Sequence, residues 1–145
     1  MATEILINDG GAPARILNLG NGNATIEAGM FVDINSSGNI VAAGTGFADA
    51  EEGSTGQSVA LGVLLTDTAA LTPANVITGK GIICNVQAGE ALATVGTDIT
   101  IDGAGKAEAQ ADSDNHRAVG VTLAASFSGT DSGGNATTFV KVLLI

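Results

Sequence analysis

Apolar and polar positions along this chain alternate over short runs, and the runs are separated by clusters of Gly, Asn, Asp and Ser. Met30, Val32 and Ile34 lie two apart around Phe31 and Asp33, a period that predicts a strand. Asn35-Ser36-Ser37-Gly38-Asn39 follows as a hairpin turn, then Ile40-Val41-Ala42-Ala43, a polar loop over 44–58, and the apolar run Val59–Leu65. Much of this pattern returns. Leu92–Val95 and Ile99-Thr100-Ile101 lead to a turn at Asp102-Gly103-Ala104-Gly105, then Lys106–Gln110, a polar loop, and Arg117–Leu123. The Ala28-Gly29 and Ala88-Gly89 pairs lie 89 − 29 = 60 residues apart, and Gly62 and Gly120 lie 120 − 62 = 58 apart. A near-constant offset of this length predicts a duplicated supersecondary unit of strand, tight turn, strand, loop, strand.

The segments outside the repeat follow the same logic. Residues 2–7 read as a short strand ending in the turn cluster 8–13, and Arg15–Leu19 as a second. Gly20-Asn21-Gly22-Asn23 can take positive φ. Residues 1–24 therefore form an N-terminal arm that either packs on the body, 25–145, or adds a strand to a partner's sheet. Thr66–Ala74 is a connector with room for one helical turn. Asn75–Val86 carries a strand pair around Thr78-Gly79-Lys80-Gly81. Residues 125–138 are a long polar loop, and Phe139–Ile145 is a strand too apolar to leave in water. No window longer than about ten residues has helical periodicity with caps. The expected fold is mainly β: one compact β-barrel or sandwich-like domain built by internal duplication, with an extended arm.

Composition narrows the chemistry. The chain has 145 residues, with 21 Gly, four Phe, no Trp and no Tyr, the vocabulary of short strands and tight turns. Fifteen acidic against five basic residues give a net charge of −10, and the basic residues are scattered. Nucleic-acid binding rests on clustered Lys and Arg, so no nucleic-acid partner is expected. Neither a secretory-signal pattern nor an apolar run long enough to span a bilayer is evident, so no membrane partner is expected.

Candidate catalytic groups are few. Cys84 is the single cysteine, within the apolar run Ile82–Val86 and with no His near it in sequence; a buried small hydrophobe fits it better than a nucleophile. His116 is the single imidazole, and no Gly-x-Ser-x-Gly elbow occurs. Gly79-Lys80 and Gly105-Lys106 lack the Ser or Thr that completes a phosphate loop. Asp112-Ser113-Asp114-Asn115-His116 concentrates metal-type ligands without the Gly and distal Glu of a calcium loop, and reads as a solvated loop. No catalytic, cofactor or metal site is expected.

Ala28-Gly29-Met30-Phe31-Val32-Asp33, Ser37-Gly38-Asn39-Ile40-Val41, Ala60-Leu61-Gly62-Val63, Gln87-Ala88-Gly89, Arg117–Val121 and Phe139–Leu144 together carry a resemblance. Over residues 25–145 the chain resembles the bacteriophage capsid decoration (cement) proteins, which are small, acidic, Ala/Gly/Val-rich β-proteins. The resemblance implies a structural virion protein on the outer capsid surface, made in the host cytoplasm. It would sit there as a homotrimer and clamp major capsid protein subunits of the expanded head. It also implies that the arm engages the shell, through Thr3, Glu4, Ile5, Leu6, Ile7, Ile16, Leu17 and Leu19. The long loops 44–58 and 125–138 depart from some members. The alternative is a virion-surface binding module, adhesin- or fibre-like, whose acidic loops hold a ligand or Ca²⁺; a small enzyme built on His116 is a third reading.

Overall fold

The computed structural model describes residues 2–8, 15–21, 25–43, 60–110 and 118–145. Among the described residues twelve strands form two antiparallel sheets, and no helix occurs. The five-stranded sheet contains β2 (Arg15–Leu19), β3 (Phe31–Ile34), β4 (Ile40–Ala42), β5 (Gly62–Leu64) and β6 (Ala74–Thr78), in the order β2-β6-β5-β3-β4. The second sheet contains β1 (Leu6–Asn8), β7 (Ile83–Gln87), β8 (Asp98–Ile101), β9 (Ala107–Ala109), β10 (Gly120–Thr122), β11 (Phe127–Thr130) and β12 (Ala136–Leu144). Its order is β1-β7-β12-β10-β8-β9, with β11 on the first half of β12.

The duplication extends further than the sequence pattern. The path β2-β6-β5-β3-β4 is repeated as β7-β12-β10-β8-β9, and the registers repeat with it. Val32 pairs with Ala42 as Ile99 pairs with Ala109, and Val63 with Ile77 as Val121 with Leu143. The parallel bridge Asn21–Ile40 has its counterpart in Ala88–Ala107. Each bridge brings the last strand of its five-strand unit back to the residues that follow that unit's first strand, β2 or β7, at one point. Neither sheet closes by a continuous ladder among the described residues, so the domain is sandwich-like rather than a closed barrel.

These registers correct the offset read from the Ala-Gly pairs. Val32 and Ile99 are equivalent, at 99 − 32 = 67, so Gly29 answers to Gly96 rather than Gly89; both take positive φ, 85° and 80°. Gly62 and Gly120 keep their offset of 58 because the intervening loops differ in length. At both, a Cβ would strike the facing strand: Ile77 O and Val76 Cγ1 at Gly62, Leu143 O and Val142 Cγ1 at Gly120. Only Gly lets these strands approach so closely.

Tight turns fix the hairpins. Asn35 Oδ1 accepts from the N–H groups of Ser37 and Asn39, both at 3.0 Å, and Asp102 Oδ1 from those of Ala104 and Lys106, both at 2.8 Å. Gly38 and Gly105 close these turns at φ 79°. Asp131-Ser132-Gly133-Gly134-Asn135 builds a third such turn, with Asp131 Oδ1 accepting from Asn135 N at 2.8 Å. The segment 125–138 is therefore a hairpin rather than a long loop. Its arms are joined by Phe127 opposite Phe139, with ring centroids 6.2 Å apart. Two other expectations also change. β6 and β7 do not pair; Gly79 to Gly81 carries the chain from one sheet to the other. The connector before β6 holds a turn, Thr72 N–H to Ala69 O at 3.2 Å, and no helix.

Alternation along the strands fills two cores. Val32, Ile40, Leu64 and Val76 lie inside the first unit with Ile26. Their neighbours Phe31, Val63 and Ile77 face the second unit and join Cys84, Val86, Val140 and Val142 in the larger core. Backbone bonds also tie the units, Phe31 N–H to Gly105 O at 2.8 Å and Gln87 N–H to Gly29 O at 2.9 Å.

Candidate functional site

The residues that the resemblance assigns to shell contact lie on the edges of two different sheets. Residues 4–7 run along the outer edge of β7, and Thr3 before them reaches β11. Thr3 N–H donates to Thr130 O at 2.8 Å, and Thr130 N–H to Thr3 Oγ1 at 3.0 Å. Asn85 donates twice to this segment, from its backbone N–H to Ile5 O and from Nδ2 to Glu4 O, both at 2.8 Å. Ile5 is buried beside Phe139, with Gly29 opposite. Leu6 is half-buried against the core, Glu4 is exposed, and Ile7 is 39% exposed.

Ile16, Leu17 and Leu19 belong to β2, at the edge of the five-stranded sheet. Leu19 packs partly on the inner core, while Ile16 and Leu17 remain 47% and 40% exposed. The described parts of residues 1–24 thus pair with the body at both sheets, β1 on β7 and β2 on β6. Leu71 is a further exposed apolar residue, 78% exposed at positive φ (65°), at the tip of the turn before β6. β-proteins usually give such a backbone position to Gly or Asn.

The polar groups inside serve the packing. Gln87 is fully buried, and its Nε2 donates to Ala28 O at 3.0 Å and Glu27 Oε2 at 3.1 Å, tying the second unit to the first. Asp67 Oδ1 accepts from Ala28 N–H at 2.6 Å. Burial pushes the Cys84 thiol from 9.0 up to about 12, so it stays protonated at neutral pH and has no thiolate to offer. A cavity of about 630 Å³ is lined by Phe31, Leu61, Val119, Leu144 and Ile145, with Lys80 as the one charged side chain among the described wall residues. No group of three His, Cys, Asp or Glu among the described residues is placed to hold a metal. His116, the cluster 112–115 and the loop 44–58 lie outside the described residues.

What sequence reasoning missed is that β2 and β7 are the same strand of the repeat. Ile16-Leu17-Asn18-Leu19 against Ile83-Cys84-Asn85-Val86 is the signal that could have shown it, at the offset of 67. No protein-family model matches this chain, and no curated protein matches it.

Proposed function

We propose that this chain is a capsid decoration protein: a non-enzymatic virion component that binds the outer surface of an expanded phage head and bridges major capsid protein subunits. The observation that carries this reading is that apolar side chains stay exposed at the edges of both sheets, Ile7 on β1 and Ile16 and Leu17 on β2, within the segment that the resemblance assigns to shell contact. The acidic balance supports an outward-facing position, since a protein outside the shell never meets packaged DNA. Repetition over a symmetric lattice, with three copies at each threefold position, lets weak individual contacts add up to firm attachment.

The role itself can be tested on particles. Filled heads stripped of this protein should release DNA at a lower temperature than complete heads, and the purified chain added back should restore the difference. Stripped and complete heads that release DNA at the same temperature would remove the cementing role.

A further inference from the structure

Within the chain the two five-strand units meet through a small set of bonds. Phe31 N–H donates to Gly105 O at 2.8 Å, Gln87 N–H to Gly29 O at 2.9 Å, and Gln87 Nε2 to Ala28 O at 3.0 Å. The first unit offers Ala28-Gly29 and the start of β3; the second offers the end of β7 and the turn between β8 and β9. This junction is dry. Ala28 is 8%, Phe31 2% and Gln87 0% exposed, and Gly29 and Gly105 are buried with them.

The repeat places a second copy of each side elsewhere on the molecule. The strand registers set Asp98 at the place of Phe31, 98 − 31 = 67, and the same separation relates Gly38 to Gly105 and Gly20 to Gln87. Val95 and Gly96 then answer to Ala28 and Gly29, and the bonds around them agree. Gly29 N–H to Leu64 O recurs as Gly96 N–H to Thr122 O, both at 2.8 Å, and Ala43 N–H to Phe31 O recurs as Gln110 N–H to Asp98 O, both at 2.9 Å. The counterparts of the buried residues are exposed: Gly20, Gly38, Gly96 and Asp98 all face solvent, and Val95 is 61% exposed. Leu123 is exposed as well, where its counterpart Leu65 packs on the core. The second unit thus shows solvent the side that the first unit buries, and the first unit shows the side that the second unit buries.

We propose that these two free faces bind each other between copies of this chain, Val95-Gly96 and Asp98 of one copy meeting Gly20 and Gly38 of the next. Gly96 O takes the Gly20 N–H of the next copy, and Asp98 N–H gives to its Gly38 O, as Gly29 and Phe31 do within one chain. The contact continues an interface that the molecule already contains, and it is head-to-tail because the two faces differ. It covers Val95 and Leu123. Asp98 in the place of Phe31 makes this contact the more polar of the two, and the turn it meets is richer in donors, with Ser36 and Ser37 where the second unit has Gly103 and Ala104. The inference deepens the decoration reading, on which it rests for the reason that copies gather. Association of the free chain is read without phage heads, so either can fail alone.

The test uses the full chain in sedimentation equilibrium, with one variant for each face: Val95→Glu, and Ser36→Glu combined with Ser37→Glu. The parent should associate at concentrations up to about a millimolar, and each variant alone should do so at least about tenfold more weakly. An equimolar mixture of the two variants should regain the parent's affinity and stop at two chains, because each partner keeps one intact face. A parent that stays monomeric at a millimolar overturns the proposal. So does a variant that associates like the parent, or a mixture no tighter than its components. Amide hydrogen exchange in the parent needs no variant: the Asp98 amide should slow about tenfold or more as the chain associates. An unchanged Asp98 amide in the associated parent gives the contact to another surface and also overturns the proposal.

Discussion

Asn18 and Asn85 stand 67 residues apart at the same position of the same strand in two copies of one unit, and among the described residues only Asn85 has an outer segment, Glu4-Ile5, hydrogen-bonded to it. The different surroundings give the two residues different weights. Asn85→Ala removes the bond from Nδ2 to Glu4 O at a buried position and should cost roughly 1–2 kcal/mol. Asn18→Ala removes an exposed side-chain bond and should stay within about 0.5 kcal/mol of the parent. Urea denaturation of both variants measures the difference, and equal costs would deny that Asn85 anchors the segment that leads into β1.

Gly62 and Gly120 make a second equivalent pair, each pressed against the strand it pairs with. Ala at either position should destabilise by roughly 1–3 kcal/mol, because the new methyl group has no space. Gly103→Ala is the control: its backbone is ordinary and nothing lies near an added Cβ, so its effect should stay within about 0.5 kcal/mol. Thermal or urea unfolding of the three variants decides this.

The turn at Asp102 accepts two backbone N–H bonds on a single carboxylate oxygen. Asp102→Ala should cost roughly 1.5–3 kcal/mol, the range for bonds to a charged acceptor. Asp102→Asn should recover most of that, because Asn35 already does the same work in the first unit. A failure of Asn to rescue would show that charge, and not the acceptor geometry, holds the turn.

How far the fold was legible in the sequence follows from these elements. Asx-type turns with a Gly three residues on, at Asn35 and Asp102, announce themselves, because only Gly sits comfortably at φ near +79° there. The period-two runs around them name strands β3 and β8. The third turn, at Asp131, has the same chemistry. It was hidden because its strand β11, Phe127-Ser128-Gly129-Thr130, has no apolar alternation and is held by pairing with β12 instead. The equivalence of β2 with β7 is hard to read because the copies are 67 residues apart at β2 and β3 but 58 apart at β5, so no single spacing aligns them. The candidate contact residues were legible as apolar, but no local pattern tells that Ile5 is buried while Ile16 is exposed. That depends on Gly29 and Phe139, far away in sequence.

The buried Cys84 thiol supplies a pH dependence with a definite sign. Its value rises on folding from 9.0 to about 12, so the unfolded chain loses the proton first. The stability it contributes is complete below about pH 9, is lost progressively as pH rises from there, and has gone by about pH 12. Cys84→Ala should flatten this alkaline limb of the stability curve. In the native protein at pH 8, thiol reagents should label Cys84 only as fast as the protein opens, and prompt labelling would contradict its burial.

The most direct measurement of the functional account is co-sedimentation with expanded and unexpanded heads of the encoding phage, both free of this protein. Removing residues 1–24 is a poor companion to it, because that deletion takes away β2 and β1 from the two sheets. Exposed substitutions are better, and Ile7→Asp, Ile16→Asp and Leu17→Asp leave the cores untouched. The account predicts that the parent chain saturates expanded heads and ignores unexpanded ones, and that the triple variant, folded by circular dichroism, binds at least about tenfold more weakly, as expected when apolar anchors are lost from an interface. A parent chain that stays in the supernatant with expanded heads would contradict the account.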